Sequence, residues 1–269
     1  MNLIEKKMSD ILSRLKNEFG VSAVKAEFEA EGTRIDELMR LIELVRKNDL
    51  KLGIKIGGCE AIKDLMECKQ IGCEYIIAPM VETDYSLSKF IQAKNKIYDT
   101  YERTNTDFLV NIETITTFNN LEKIKDHCIS YKDPKDSIQG LVFGRVDFSL
   151  SNNFSREDIN KDKVTKYILD VAQVCKQSNL ELVVGGGVSS DSFPVLKDIA
   201  KIHLNRFETR KIIFTKESLD VKNLKDGMLE AVHFELLWLK NKKEYYGSIF
   251  KEDDRRIEML SSRWGVSSK

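Results

Sequence analysis

Proline is nearly absent: Pro79, Pro134 and Pro194 are the only three in 269 residues, so regular elements run with little interruption. No Gly/Ser-rich stretch marks a linker between domains. The five cysteines (Cys59, Cys68, Cys73, Cys128, Cys175) are an odd set with no C-x-x-C pair, which argues against a disulfide frame or a zinc site and for reduced cytoplasmic thiols. Cys59 follows Gly57-Gly58 and reads as a structural thiol. Nowhere do about 18 apolar residues run together, and M-N-L-I-E-K-K-M-S-D at the start lacks the apolar core of a leader. A cytoplasmic protein away from membranes is expected. Net charge is absent too: Lys plus Arg and Asp plus Glu stand at 43 each, so no basic field calls for nucleic acid or an anionic membrane. The partners left are a small molecule and a second copy of the chain.

What is present is an alternation of helical and strand patterns. Leu3, Ile4, Met8, Ile11, Leu12 and Leu15 recur at helical spacing before Gly20, and V-S-A-V-K-A-E-F-E (21–29) then alternates as a strand does. Further strands are predicted at 51–57, 73–80, 108–113, 139–144, 180–185 and 203–214, with helices between them. Seven strands are counted this way, and an eighth comes from splitting 203–214 with Lys211–Phe214 as its own piece. Such βαβ repetition implies a parallel sheet, and the length suits an α/β fold of the (β/α)8 TIM-barrel type. The barrel is assigned to 1–218. Residues 219–269 form a helical extension, with helices at 223–242 and 251–262 and an aromatic surface that suits either a partner subunit or the chain's own barrel.

Two apolar runs carry the chemistry. F-L-V-N-I-E-T (108–114) and G-L-V-F-G-R-V-D-F-S (140–149) each lead to a carboxylate, Glu113 and Asp147. In a parallel barrel the carboxyl ends of the strands line the mouth where ligands sit. Two acids converging there repel unless a proton or cation intervenes, and hard divalent ions are held by one or two carboxylates with water and substrate oxygens. The bland alternative is a pair of ordinary solvated or capping acids.

Strand parity adds charges inside the barrel. With Val24, Ala26 and Phe28 facing the helices, Lys25, Glu27 and Glu29 face inward; Lys55 shares a face with Gly53 and Gly57, and Arg206, Glu208 and Arg210 share another. Charges of both signs in a barrel are costly unless paired or holding an ion, so either a site for an anionic substrate or an internal salt-bridge network is implied. G-G-G-V-S-S-D (185–191) could offer backbone N–H groups to an anion, or be a simple capped turn.

Three segments, I-G-C-E-Y-I-I-A-P-M-V-E-T (71–83), V-N-I-E-T (110–114) and G-L-V-F-G-R-V-D-F-S (140–149), resemble the HpcH/HpaI aldolase and citrate lyase β-subunit family of the phosphoenolpyruvate/pyruvate barrel superfamily, over about residues 21–215. The resemblance implies Mg²⁺ or Mn²⁺ on Glu113 and Asp147, and carbon–carbon bond chemistry through the enolate of pyruvate, a related 2-oxo acid or an acyl thioester. It also implies an oligomer that exchanges a C-terminal helix. Where family aldolases carry an arginine, this chain has Lys55, which can neutralise an oxygen without two-pronged geometry. The family's proton-moving histidine aligns with Ala30 and its aspartate partner with Gln70, and His127, His203 and His233 do not replace that dyad. Arg145, beside Asp147, is an additional candidate anion contact.

The combined expectation is a metal-dependent lyase or aldolase with Lys55, Glu29 and Arg145 as catalytic candidates. Lys25, Glu27, Arg206 and Arg210 are the substrate-binding candidates, and Glu113 and Asp147 the metal ligands. Two alternatives stand beside it: a citrate-lyase-like lyase or condensing enzyme using an acyl-CoA thioester or phosphoenolpyruvate, and a non-catalytic barrel that binds an anionic metabolite.

Overall fold

The structure, a computed structural model, describes residues 1–265. Eight strands close into one barrel in chain order: β1 (Val21–Glu27), β2 (Lys51–Lys55), β3 (Tyr75–Ala78), β4 (Asp107–Ile112), β5 (Gly140–Gly144), β6 (Glu181–Gly185), β7 (Arg206–Glu208) and β8 (Ile212–Thr215). Neighbours from β1 to β7 are parallel, as the alternation of strands and helices requires. The stretch expected at 203–214 does split, but β8 runs antiparallel to both β7 and β1. The reason is length: Thr209–Lys211 is a hairpin turn, whereas a parallel crossover takes about a dozen residues or more.

Each strand is apolar on the side that meets the helices, as with Val24, Ala26, Leu52 and Ile54, all fully buried. Inside, a separate plug of Ala23, Ile77, Leu109, Val142, Val183 and Ile213 fills the barrel's waist. Below it the floor is polar. Arg206 pairs with Glu181 and lies over the Tyr75 ring at 4.2 Å, with Lys51 on the same ring at 5.1 Å. Above the plug, at the carboxyl ends of the strands, lie the remaining inward-facing charges.

The tail is one helix, Leu224–Trp264, rather than the two expected, because no proline and no stretch of turn residues breaks it. Its first part packs on the N-terminal helix Leu3–Phe19, where Gly227 meets the Phe19 ring so closely that a Cβ there would lie 2.7 Å from it. Among the described residues, no helix is long and apolar enough to cross a membrane.

Glu5 ties this corner together. It accepts hydrogen bonds from Arg40 at 2.8 and 2.6 Å, from the Asn2 backbone at 2.8 Å and from Asn241 at 3.3 Å. The Arg40 guanidinium holds its carboxyl down at about 2, well below the ordinary value of 4.5. A depressed carboxyl stabilises the fold above its unfolded value and loses that contribution as pH falls through the folded one. Stability is therefore expected to drop by on the order of 1–2 kcal/mol between about pH 4.5 and pH 2, a modest figure because Arg40 is solvent-screened. Urea midpoints across that range check it, with Glu5→Gln as the variant that should flatten this part of the curve.

Candidate active site

The mouth of the barrel opens into a cleft of about 860 Å³. Lys25, Glu27 and Glu29 reach it from β1 and the turn after it, Lys55 from β2, and Asn111 and Glu113 from β4. Asp147, just beyond β5, and the glycines 185–187, at the end of β6, complete the lining, with Arg210 on the hairpin turn.

Glu113, immediately after β4, is buried and fully engaged on one oxygen. Its Oε2 accepts from Asn111 Nδ2 at 2.7 Å and from Lys55 Nζ at 3.2 Å, while Oε1 accepts from the Met80 backbone N–H at 3.0 Å. Met80 reaches this position in the left-handed region, at φ +52°, which is rare for a side chain of its size and turns its N–H toward the carboxylate. Asp147 is not on a strand: β5 stops at Gly144, and Asp147 occupies the first turn of the helix Arg145–Ser151. It has no hydrogen-bond or ion-pair partner among the described residues. Burial, together with the nearby Glu113, raises its carboxyl above the ordinary value, with Lys55 opposing and Glu29 and Glu27 adding to the rise. Gly144 keeps Glu113 clear of extra bulk, since a Cβ there would lie 3.2 Å from Glu113 Cβ.

Two lysines organise the acids. Lys55 lies 3.1 Å from Glu29 as well as 3.2 Å from Glu113; burial works against its charge, but Glu113, Glu29 and Glu27 together hold its ammonium above the ordinary lysine value. Deeper in, Lys25 pairs with Glu208 and, at 3.4 Å, with Glu27, and the same contest of burial against carboxylates also ends with its value raised. Glu208 thus serves a lysine, not the arginine that its strand suggests. At the rim Arg210 is bound to Glu31 at 3.0 Å, and Lys211 pairs with the same carboxylate.

Two expected contributors lie elsewhere. Arg206 shares the inward face of β7 with Glu208 but sits at the strand's other end, in the floor, because parity reports a face and not a height. Arg145 is fully buried and turned away from the cleft by the start of its helix. It donates to the Gly185 carbonyl at 3.1 Å, Asn160 Oδ1 at 2.7 Å and Ser192 Oγ at 3.2 Å, and burial lowers its guanidinium to about 10. It props the glycine loop. Gly186 packs against the same turn, where a Cβ would fall 2.6 Å from the Arg145 nitrogen. Cys59 lies half-buried beyond β2, outside the cleft.

Asn111 and Met80 are the contributors that residue type alone hides. Asn111 leaves its Oδ1 buried without a partner beside Glu113, and its strand parity is the signal that finds it. Among the described residues, no three His, Cys, Asp or Glu side chains converge as a closed metal site requires. The available set is two carboxylates. One free lone pair remains on Glu113 Oε1, and Asp147 has no competing donor. Hard oxygens of this kind fit a divalent ion completed by water and substrate.

No family model and no curated protein matches the sequence. Solved structures do match. The HpcH/HpaI aldolase from Desulfitobacterium hafniense DCB-2 superposes with a TM-score of 0.60 at 10% identity, over 78% of this chain and 84% of that one. An HpcH/HpaI aldolase/citrate lyase family protein from Burkholderia cenocepacia J2315 gives 0.55 at 11% identity, covering 83% and 99%. RipC from Yersinia pestis gives 0.50 at 13% identity, covering 80% and 88%. These barrels share the fold described above, and the first two carry the family name that the three sequence segments resemble.

Proposed function

We propose that this protein is a divalent-metal-assisted carbon–carbon lyase of the aldolase type, acting through the enolate of pyruvate or a related 2-oxo acid. The observation that carries the reading is the pair Glu113 and Asp147 facing one cleft, with Lys55 beside them and Asp147 without a donor. Bound there, Mg²⁺ or Mn²⁺ would act as a Lewis acid on the 2-oxo carbonyl and offset the charge of the enolate. The residues that would hold it are Glu113 and Asp147.

The chain's other groups have separable tasks. Lys55, kept positive by its acids, faces the position where charge grows on the substrate oxygen. Glu29, at the rim and in contact with Lys55, is the carboxylate placed to take a methyl proton from the 2-oxo acid and return it, in place of the histidine that Ala30 replaces. Arg210 offers guanidinium edges to a substrate carboxylate from the rim. Lys25, Glu27 and Glu208 form the base on which this layer rests. Five free thiols suit the cytoplasm as the place of action.

The test is proton exchange. In heavy water with Mn²⁺ or Mg²⁺, the protein is expected to wash out the methyl protons of pyruvate or 2-oxobutyrate, chelator is expected to stop it, and Lys55→Met is expected to slow it by roughly 10²–10³-fold. No exchange with any 2-oxo acid, together with no Mn²⁺ binding by calorimetry, would sink the proposal.

A further inference from the structure

The loop that carries Glu29 is held from two sides. Residues 28–34 join β1 to the helix Ile35–Lys47. At the base of the loop the Phe28 backbone N–H donates to the Lys55 carbonyl at 2.8 Å, and that of Thr33 to the Glu27 carbonyl at 3.2 Å. The tip has little else of its own. Ala30 and Gly32 are exposed, Gly32 takes the left-handed backbone at φ +55°, and a Cβ there would meet nothing within 4 Å. Among the described residues, charged side chains from outside the loop reach the tip at two points: Lys55 meets Glu29 at 3.1 Å, and Arg210 and Lys211 meet Glu31. Because β1 lies between β2 and β8, these two acids tie the loop to both neighbours. E-F-E-A-E (27–31) thus gives each acid a different lysine: Lys25, Lys55 and Lys211.

The tie through Glu31 is the firmer one. Lys211 is almost completely buried, its Nζ lies 5.9 Å from the centre of the Trp238 ring, and Glu31 is its one ion-pair partner among the described residues. A buried ammonium is costly unless a counter-charge meets it, so this carboxylate is fixed by the needs of the interior beneath it. Its other oxygen accepts from Arg210 Nε at 3.0 Å. Burial works against the charge on Glu31, yet the two cations hold its carboxyl below the ordinary value. Glu29, by contrast, is exposed, and its partner is the lysine that it shares with Glu113.

We propose that Glu31 is a positioning residue: clasped by Lys211 and Arg210, it fixes the turn two residues beyond Glu29 and so sets where that carboxylate stands in the cleft. Glu31 does not itself line the cleft, so its influence passes through Glu29. The inference rests on the role given to Glu29 in the reaction proposed above. Proton transfer from a methyl carbon depends on placement, and an error of about 1 Å can cost on the order of 10²-fold.

The test uses Glu31→Leu together with Lys211→Met, because the first change alone strands a buried ammonium and the second removes it. Urea midpoints are expected to stay close to the parent's. Amide hydrogen exchange over peptides covering residues 28–34 is expected to quicken by about 10-fold or more, and to stay unchanged around Glu113 and Asp147. With Mn²⁺ and pyruvate in heavy water, washout of methyl protons is expected to fall by roughly 10–100-fold while Mn²⁺ affinity holds. Glu31→Gln, which keeps the length of the side chain and an oxygen for Lys211, should show the same changes to a smaller degree. In a Glu29→Gln background the paired changes should lower washout by less than about twofold more, because Glu31 then has nothing left to place. A purely structural role would subtract the same factor in both backgrounds. Loop amides that exchange at the parent's rate overturn the clasp. A loss that persists without Glu29 overturns the route through it, since the effect would then run through Arg210. The amide rates do not depend on which reaction the cleft performs, so a failed clasp and a failed reaction are told apart.

Discussion

Asp147→Asn is expected to melt higher than the unaltered protein and to have lost divalent-ion binding and proton exchange, the exchange by on the order of 10³-fold or more. The two effects share one origin. Asp147 carries its charge at the exposed surface of the cleft, near Glu113, Glu29 and Glu27, with no donor of its own. A carboxyl whose folded value lies above its unfolded one costs stability once the pH exceeds both, so at neutral pH its removal should stabilise, by only about 0.5 kcal/mol because solvent screens this exposed group. Glu113→Gln should lose the same activities without that gain, because Glu113 already receives Asn111, Lys55 and the Met80 N–H. Calorimetric melting in chelator, set beside Mn²⁺ titration, separates the outcomes. If Asp147→Asn melts lower, or still binds Mn²⁺ as before, the assignment of this acid to a cation fails.

Lys25→Met should be the most damaging single change to the fold. Lys25 is the buried counter-charge of Glu208 and Glu27, and a methionine of similar length would leave both carboxylates inside the barrel without it. Breaking a buried pair from one side typically costs about 3–5 kcal/mol, a large share of a domain's stability. Lys25→Met combined with Glu208→Gln should recover part of the loss, since fewer stranded charges remain. The native pair carries a pH signature as well. Lys25 is raised above the usual lysine value, so its contribution is complete at neutral pH and fades only as the pH climbs past the ordinary lysine range toward the raised one. Chemical unfolding of the three proteins measures these differences, and a single mutant as stable as the parent would remove Lys25 from this role.

Much of this arrangement could be read before any coordinates. Period-two alternation in V-S-A-V-K-A-E-F-E separates Lys25 and Glu27 from Val24 and Ala26, and in the structure the first pair lines the cleft while the second packs outward. The same logic placed Lys55 and Glu113. It could not give depth, which is why Arg206, on the correct face, lies in the floor. Nor does an apolar run announce where a strand becomes a helix. After Gly144 the chain coils, which lifts Asp147 onto a first turn and sends Arg145 into the protein. The antiparallel β8 was hidden for a different reason: direction is set by the brevity of the Thr209–Lys211 turn, while residue pattern is the same for either direction. The backbone N–H of Met80 has no signature in residue type, because its role comes from a dihedral angle.

Among the described residues, the polar floor of Arg206, Glu181 and Tyr75 and the apolar waist above it fill the barrel's lower end, and the cleft opens at the mouth. Whatever enters and whatever departs crosses the same threshold, so two fragments of a cleaved molecule would queue rather than leave by opposite sides. Substitutions around that threshold, at Val232 or Glu235, would then show themselves in how fast the chamber empties, while the bond-making step behind them stays untouched.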